Sequence, residues 1–135
     1  MEPARLLDKI TDWAKNNRVT GLALIGSYAR DEARADSDID LILLTPDPQA
    51  YIRHSDWIKS FGRVKSYQVE DWGLVTSLRA FYEDGLEVEF GLASPEWAKI
   101  PLDPGTSEVI SGGMQILFDR EGLLDRALSD VTRNH

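Results

Sequence analysis

The sequence predicts an α/β protein in which helices flank a mixed β-sheet. Three observations predict this class: an amphipathic segment opens the chain, two apolar runs flank a short polar connection, and an Asp84-Gly85 turn joins two further β-like runs. The chain has 135 residues, of which 42% are hydrophobic and 28% charged, the profile of a globular protein. This length predicts one domain that spans residues 1–135.

The first half of the chain predicts two strands among helices. One helical face is formed by Leu6, Leu7, Ile10, Trp13 and Ala14, and this first helix is predicted to end near residues 16–17. The elements predicted after it are a strand over 19–25, a short helix over 28–35, a strand over 39–45, and a helix from Pro48 to about Ser60 with Asp47 as N-cap.

The second half predicts a hairpin followed by smaller elements. The β pattern begins at Gly73, and the runs 73–82 and 86–93 form the hairpin. Ser94 is predicted to cap a helical turn that has Pro95 in its first position. The remaining predicted elements are a short helix that ends at residues 112–113, a strand over 114–118 and a final helix over about 121–132.

Composition excludes several classes of function. The absence of cysteine excludes disulfides, thiolate catalysis and cysteine zinc sites. A net charge of −8 argues against a protein that coats nucleic acid, because such binding depends on basic residues. The N-terminus has no apolar run typical of a signal peptide, and no 18 apolar residues run together, so we expect no membrane span and a cytoplasmic location.

Asp38 and Asp40 stand at the start of one of the most hydrophobic predicted strands. Because side chains alternate along a strand, both carboxylates emerge on one face while Ile39 and Leu41 enter the core. Two neighbouring anions repel each other, and the arrangement is tolerable mainly when a cation lies between them. Magnesium prefers oxygen ligands and typically takes one or two carboxylates plus substrate phosphates. The pair therefore predicts a metal site.

Two further segments are candidates for the same site. Gly26-Ser27 lies where a strand passes into a helix, a junction suited to an anion, and the serine hydroxyl adds a donor. Glu87 and Glu89 share one face of the second hairpin strand, and one of them would complete an acidic triad. Arg30 is a candidate phosphate or carboxylate contact, with a surface role as the alternative, and Arg79 has a weaker form of the same claim.

These motifs resemble those of the DNA polymerase β-like nucleotidyltransferase superfamily. Gly-Ser, ten intervening residues, and Asp-apolar-Asp on a strand are similar to the superfamily signature, and "DGLEVEFGLA" resembles the strand that bears the third acid. The similarity spans about residues 21–124 and favours the small single-domain members related to the aminoglycoside and lincosamide nucleotidyltransferase domains. One departure is Asp31, where small relatives often carry glycine.

The resemblance implies the nucleotidyltransferase fold and a role for each motif residue. Gly26 and Ser27 would hold the triphosphate with Arg30 as an added contact, Asp38 and Asp40 would ligate Mg²⁺ in a two-metal site, and Glu89 would be the third acid, with Glu87 as the fallback. The implied reaction transfers a nucleoside monophosphate, AMP from ATP or its counterpart from another nucleoside triphosphate, to a hydroxyl of a small-molecule or protein acceptor and releases pyrophosphate.

Two rival interpretations remain open. The chain could be an antitoxin-like minimal nucleotidyltransferase that pairs with a helical partner protein and modifies or neutralises it. It could also be a binding module that keeps the fold without turnover. Relatives that modify antibiotics or tRNA usually carry an extra helical domain for the acceptor, so the acceptor site is expected to come from short loops, a homo-oligomer or another protein.

Overall fold

The computed structural model describes residues 2–34 and 37–134, and its centre is a six-stranded mixed sheet. The helices are α1 (Pro3–Lys15), α2 (Gly26–Ala29), α3 (Pro48–Arg53), α4 (Pro104–Ser111) and α5 (Leu123–Asn134), and 3₁₀ segments span Ser55–Phe61 and Pro95–Ala98. The strands are β1 (Gly21–Ile25), β2 (Ile39–Leu44), β3 (Val64–Asp71), β4 (Thr76–Tyr82), β5 (Glu87–Ala93) and β6 (Met114–Asp119). The α/β class and the mixed sheet are thus confirmed.

The strands lie in the order β3-β4-β5-β2-β1-β6, so the two motif-bearing strands β2 and β5 are central neighbours. They pair in parallel, whereas the other neighbouring pairs are antiparallel. The predicted hairpin is β4 and β5, and Gly85 in its turn has a φ of 95°. This left-handed conformation favours glycine, as the Asp-Gly signal predicts.

The sheet carries a hydrophobic layer on each face. On one face, α1 and the segment Ser55–Phe61 cover the odd-numbered residues of β2, and Trp13 stacks on Trp57 with ring centroids 5.0 Å apart. On the other face, α4, α5 and the segment Pro95–Ala98 cover the far end of β2, at Ile42 and Leu44. At the start of β2, this second face carries the carboxylate of Asp40.

Several predicted caps and ends are confirmed. Asp47 accepts a hydrogen bond from the Ala50 amide at 3.2 Å, and Ser94 accepts one from the Glu96 amide at 3.3 Å. α1 ends at Lys15, and Gly112 is the C-cap of α4. Within the part of the chain that the structure describes, no helix is both long and apolar enough to cross a membrane.

Three elements differ from the prediction. The helix expected over 28–35 is the single turn α2, which ends at Ala29, and Ala35 lies outside the described residues. The helix expected from Pro48 to Ser60 is α-helical only to Arg53 and continues as a 3₁₀ segment, where the Trp57 indole N–H donates to the Tyr51 carbonyl. β3 was not predicted; it is an edge strand with mostly exposed residues, so burial imposes no alternation on it.

Candidate active site

Asp40 on β2 and Glu89 on β5 lie directly beside each other in the parallel pairing. The register is fixed from the opposite face, where Ile39 and Leu41 and their partners Val88 and Phe90 are buried. A slip of one residue would turn these apolar side chains into the carboxylate face, so their burial holds the two acids together. Glu87 lies one pleat earlier on the same face of β5.

Arg79 joins the acidic side chains into one cluster. It stands on β4 opposite Glu89, and its guanidinium nitrogens lie 2.9 Å from Asp38 Oδ2, 2.8 Å from Glu87 Oε2 and 3.3 Å from Glu89 Oε1. Glu70 on β3 is 3.5 Å away on a fourth side. One cation therefore faces four carboxylates, with Asp40 as a fifth acid in the group.

Burial and the neighbouring acids both affect the pKa of Asp40. Burial, hydrogen bonding to Glu89 and repulsion from Glu89 and Asp38 raise the pKa of Asp40 to about 7, although Arg79 opposes the shift. A hydrogen bond with Asp38 and partial burial likewise raise the pKa of Glu87. Partial burial acts to lower the pKa of Arg79, but attraction to Glu89 and hydrogen bonds to Glu87 and Asp38 outweigh it and raise that pKa.

Gly26 brings the backbone against this cluster. Its φ of 74° lies in the left-handed region, and a Cβ at this position would stand 2.7 Å from Asp40 Oδ2. Only glycine therefore fits between the end of β1 and the carboxylate. Ser27 follows in the single turn of α2, on the side of Asp40 that faces β1.

Arg30 is directed away from the aspartates. Its guanidinium donates to the Gly112 carbonyl at 2.9 Å and lies 3.3 Å from Glu32. These contacts tie the end of α2 to the end of α4. The structure therefore brings together Asp38, Asp40, Glu89 and Gly26 and places the Arg30 guanidinium in a separate set of bonds.

The donor chemistry of the cluster fits a hard divalent cation. Among residues 2–34 and 37–134, no three Asp, Glu or His side chains already stand in an arrangement that would hold a metal. Arg79 occupies the position between Asp38 and the glutamates. Four carboxylates contact this one guanidinium and Asp40 lies beside them, so five acids share one positive charge. Asp38, Asp40 and Glu89 are the oxygen ligands available to such a cation.

Arg79 and Glu70 are the site residues that sequence reasoning undervalued or missed. Arg79 was noticeable in the sequence as a positively charged residue within an otherwise largely apolar strand, β4. Its position opposite Glu89, however, depends on the register of the hairpin. Glu70 lies on the unpredicted edge strand, two residues beyond the direct partner of Arg79, which is Gln68. A correct assignment of β3 would have placed Glu70 near Arg79.

Comparison with known proteins adds evidence from sequence and fold. The model of the family described as "Nucleotidyltransferase domain" matches residues 7–89, more than half of the chain. An aminoglycoside 6-adenyltransferase from Bacillus subtilis aligns at 19% identity and a TM-score of 0.59, over 73% of this chain and 37% of that one. The apo form of a CCA-adding enzyme aligns at 15% identity and a TM-score of 0.51, over 98% of this chain and 32% of that one.

The chain thus spans only about a third of the length of these two enzymes. A toxin–antitoxin structure with AMP-PNP aligns at 11% identity and a TM-score of 0.46, over 95% of this chain and 85% of that one. The search of curated proteins gives no match. The aminoglycoside 6-adenyltransferase and the apo CCA-adding enzyme share the fold. The family model covers both β2 and the segment that ends at Glu89, and the chain therefore belongs to the nucleotidyltransferase domain family.

Proposed function

We propose that this protein is a Mg²⁺-dependent nucleotidyltransferase that transfers AMP from ATP to a hydroxyl of an acceptor and releases pyrophosphate. The pairing of Asp40 with Glu89 beside Gly26 is the observation that carries this proposal. It unites, at one end of the central strands, the acids and the glycine of the motif. Family membership supports nucleotidyl transfer in general. The paired aspartates favour Mg²⁺ as the metal, and ATP is proposed as the donor among the nucleoside triphosphates.

Each residue has a distinct role in the proposed reaction. Asp38, Asp40 and Glu89 would hold the cations, which supply positive charge to the phosphate oxygens. Gly26 lets the donor phosphates approach Asp40 closely, and Ser27 donates a hydrogen bond to them. The role of Arg30 as a phosphate contact stays a prediction, because its guanidinium is bonded to Gly112 and Glu32.

The chemical step exchanges one P–O bond for another. The acceptor oxygen attacks the α-phosphorus and forms a new P–O bond, while the bond from that phosphorus to the bridging oxygen of the β-phosphate breaks. Pyrophosphate leaves, and Glu89 takes the proton of the attacking hydroxyl. Glu89 is favoured over Glu87 for this role because it stands directly beside Asp40, whereas Glu87 lies one pleat away.

Transfer of labelled α-phosphate from ATP tests the proposal, with a pool of small hydroxyl compounds and cell-extract proteins as acceptors. Asp40→Ala should abolish the transfer. Glu89→Gln should lower it by about 10²- to 10⁴-fold, the contribution typical of a general base. Glu87→Gln is the matched control, since it makes the same change on the same face of the same strand, and it should retain most of the activity.

Two results would contradict the proposal. Equal transfer by wild type and Asp40→Ala would remove the aspartates from the chemistry, and a larger loss in Glu87→Gln than in Glu89→Gln would reassign the third acid. Mg²⁺-dependent ATP binding without any product would instead favour a binding module. Pairing with a helical partner protein stays a prediction, which co-purification of a second short chain with the tagged protein would test.

A further inference from the structure

A pocket of about 310 Å³ begins at Asp40 and Glu89 and extends along the same face of the sheet. Its floor includes Gly91, which lies two residues after Glu89 on β5, and Ser77, the β4 residue that pairs with Gly91. One wall is the start of α4, and the other is the β3–β4 turn with Trp72 and Leu74. Trp72 is 63% exposed, so the wall that it forms is accessible from solvent.

Thr106 gives this pocket an unused hydrogen-bonding group. Its side chain lines the pocket and is only 1% exposed, and in the described part of the chain its Oγ1 is the buried side-chain polar atom without a hydrogen-bond partner. A buried hydroxyl that lacks a partner destabilises the fold, and native proteins rarely retain one without a role. A ligand atom in the pocket would supply the missing partner.

The walls and charges of the pocket restrict what it can bind. Trp72, Leu74, Val75, Trp97 and Val109 offer apolar surface, two of them as flat indole rings. The charged residues among the described lining are Asp40, Glu89 and Asp103, all acidic. An anionic ligand would be repelled there, whereas a neutral or positively charged compound with a flat apolar body is suited to these walls.

The position of the pocket favours the acceptor over the donor, an argument that rests on the proposed function. In an in-line displacement the attacking and leaving oxygens lie on opposite sides of the phosphorus. Gly26 approaches Asp40 from β1, whereas Glu89 lies on the opposite side, on β5. With the departing pyrophosphate near Gly26, the attacking hydroxyl comes from the β5–β4 side, where Ser77 and Val75 line the pocket; Ile25 at the end of β1 lines its opposite side.

We propose that this pocket selects the acceptor: a neutral or cationic hydroxyl compound with a flat ring, whose far end carries a polar group that bonds to Thr106. Glu89 accepts a hydrogen bond from the acceptor hydroxyl at one end of the pocket, and the indole rings of Trp72 and Trp97 contact the flat ring of the acceptor. Thr106 forms a hydrogen bond with the polar group at the other end. The proposal defines a class of acceptor by its charge, its flat shape and the polar group at each end.

Three isosteric probes test the charge and shape requirements: tyrosol is neutral, tyramine is cationic and 4-hydroxyphenylacetate is anionic. Binding is followed in ¹⁵N-labelled protein through the four tryptophan indole N–H signals. Trp72 and Trp97 line the pocket, whereas Trp13 and Trp57 lie in the aromatic layer on the other face and serve as internal controls. Tyrosol and tyramine at millimolar concentration should shift the first two signals only. No shift with either probe, or equal binding of the anion, would overturn the proposal.

Thr106→Val tests the far end of the pocket. It removes the hydroxyl at nearly constant volume, so it should weaken tyramine binding about three- to tenfold and leave the midpoint of thermal unfolding unchanged or raised. Thr45→Val is the matched control, because Thr45 is equally buried but its Oγ1 donates to the Arg18 carbonyl at 2.7 Å. That variant should lose stability and keep tyramine affinity. Undiminished tyramine binding in Thr106→Val would contradict the role of Thr106.

A nucleotide titration separates this proposal from the proposed function. Mg²⁺ with α,β-methylene-ATP should bind together with tyramine, since the two are assigned different sides of Asp40. Displacement of tyramine by the nucleotide would show that the pocket holds the donor base and would overturn the acceptor assignment. If the nucleotide fails to bind while tyramine still shifts Trp72 and Trp97, the pocket stands and the proposed donor chemistry fails.

Discussion

Gly26 and Asp40 are so close that a single added carbon at Gly26 would stand 2.7 Å from the Asp40 carboxylate. Gly26→Ala should therefore displace the carboxylate. It should also lower the free energy of unfolding by about 1–2 kcal/mol, because alanine is strained in the left-handed backbone conformation of Gly26. Since a displacement of about 1 Å in an active site can cost 10²-fold in rate, we expect about that loss of nucleotidyl transfer. Thermal unfolding and labelled-phosphate transfer measure the two effects.

Gly122→Ala is the control for backbone strain. Gly122 has a φ of 76°, nearly that of Gly26, and a Cβ there would meet no atom within 4 Å. It should lose a similar amount of stability and retain activity. Equal activity losses in the two variants would show that the proximity of Gly26 to Asp40 is unimportant.

Removal of Arg79 should destabilise the protein in a way that Mg²⁺ partly restores. Arg79→Met leaves Asp38, Glu87 and Glu89 without their shared cation, and the expected loss is about 1.5–3 kcal/mol, the range for hydrogen bonds to charged groups. Urea unfolding at pH 7 with and without Mg²⁺ measures the loss. Arg126→Met, at an exposed residue whose guanidinium bonds to the Glu121 carbonyl, should change stability little. Identical behaviour of both variants would contradict a central role for Arg79.

Asp40 should make the metal-free protein less stable as the pH rises toward neutrality. Burial and the neighbouring Glu89 raise the pKa of Asp40 from 3.8 to about 7, so the folded protein binds more protons than the unfolded chain between these values. The contribution of Asp40 to stability is fully present below pH 3.8 and is lost as the pH rises to about 7. Asp40→Asn removes this dependence. In urea unfolding experiments with EDTA across this pH range, the free energy of unfolding should decline less steeply with pH in Asp40→Asn than in the wild type. An equal decline in both proteins would contradict a raised pKa of Asp40.

Asp31→Gly should stabilise the fold. Asp31 has a φ of 58°, which is costly for a side chain with a Cβ, although aspartate tolerates it better than most residues. We expect a gain of about 0.5–1 kcal/mol, reduced by the greater freedom of glycine in the unfolded chain. Asp31→Asn, which keeps the backbone conformation and removes the charge, should leave stability nearly unchanged. A loss of stability in Asp31→Gly, measured by urea unfolding, would mean that the aspartate side chain stabilises this turn.

Local signals predicted those parts of the fold that are most strongly buried. β2 and β5 carry apolar residues against both helical layers over most of their length, so their apolar runs are a strong signal, and the Asp84-Gly85 turn predicted the hairpin between β4 and β5. β3 has one neighbouring strand and mostly exposed side chains, so its sequence carries little of this signal. α2 is a single turn because Asp31 enters the left-handed region two residues after its end, which helix propensity does not encode.

The candidate site shows the same division. The pairing of Asp38 with Asp40 depends on alternation within one strand and could be read directly. The position of Glu89 beside Asp40 depends on a parallel pairing between strands more than forty residues apart in the chain. No local pattern predicts this pairing, and only the family resemblance indicated it. The contacts of Arg79 and the unpartnered Thr106 depend on three-dimensional packing, and no local pattern encodes either.

Arg79 also affects how the chain can fold when no cation is bound. The guanidinium is part of the same chain as the acids that it contacts, so it accompanies them at a fixed high local concentration whatever the supply of free cations. During folding, a newly synthesised chain can thus offset part of the negative charge of the acidic cluster without an ion from the surrounding medium. The chain would fold first and bind the cation afterwards. Cation binding would then require a local rearrangement of side chains rather than completion of the fold.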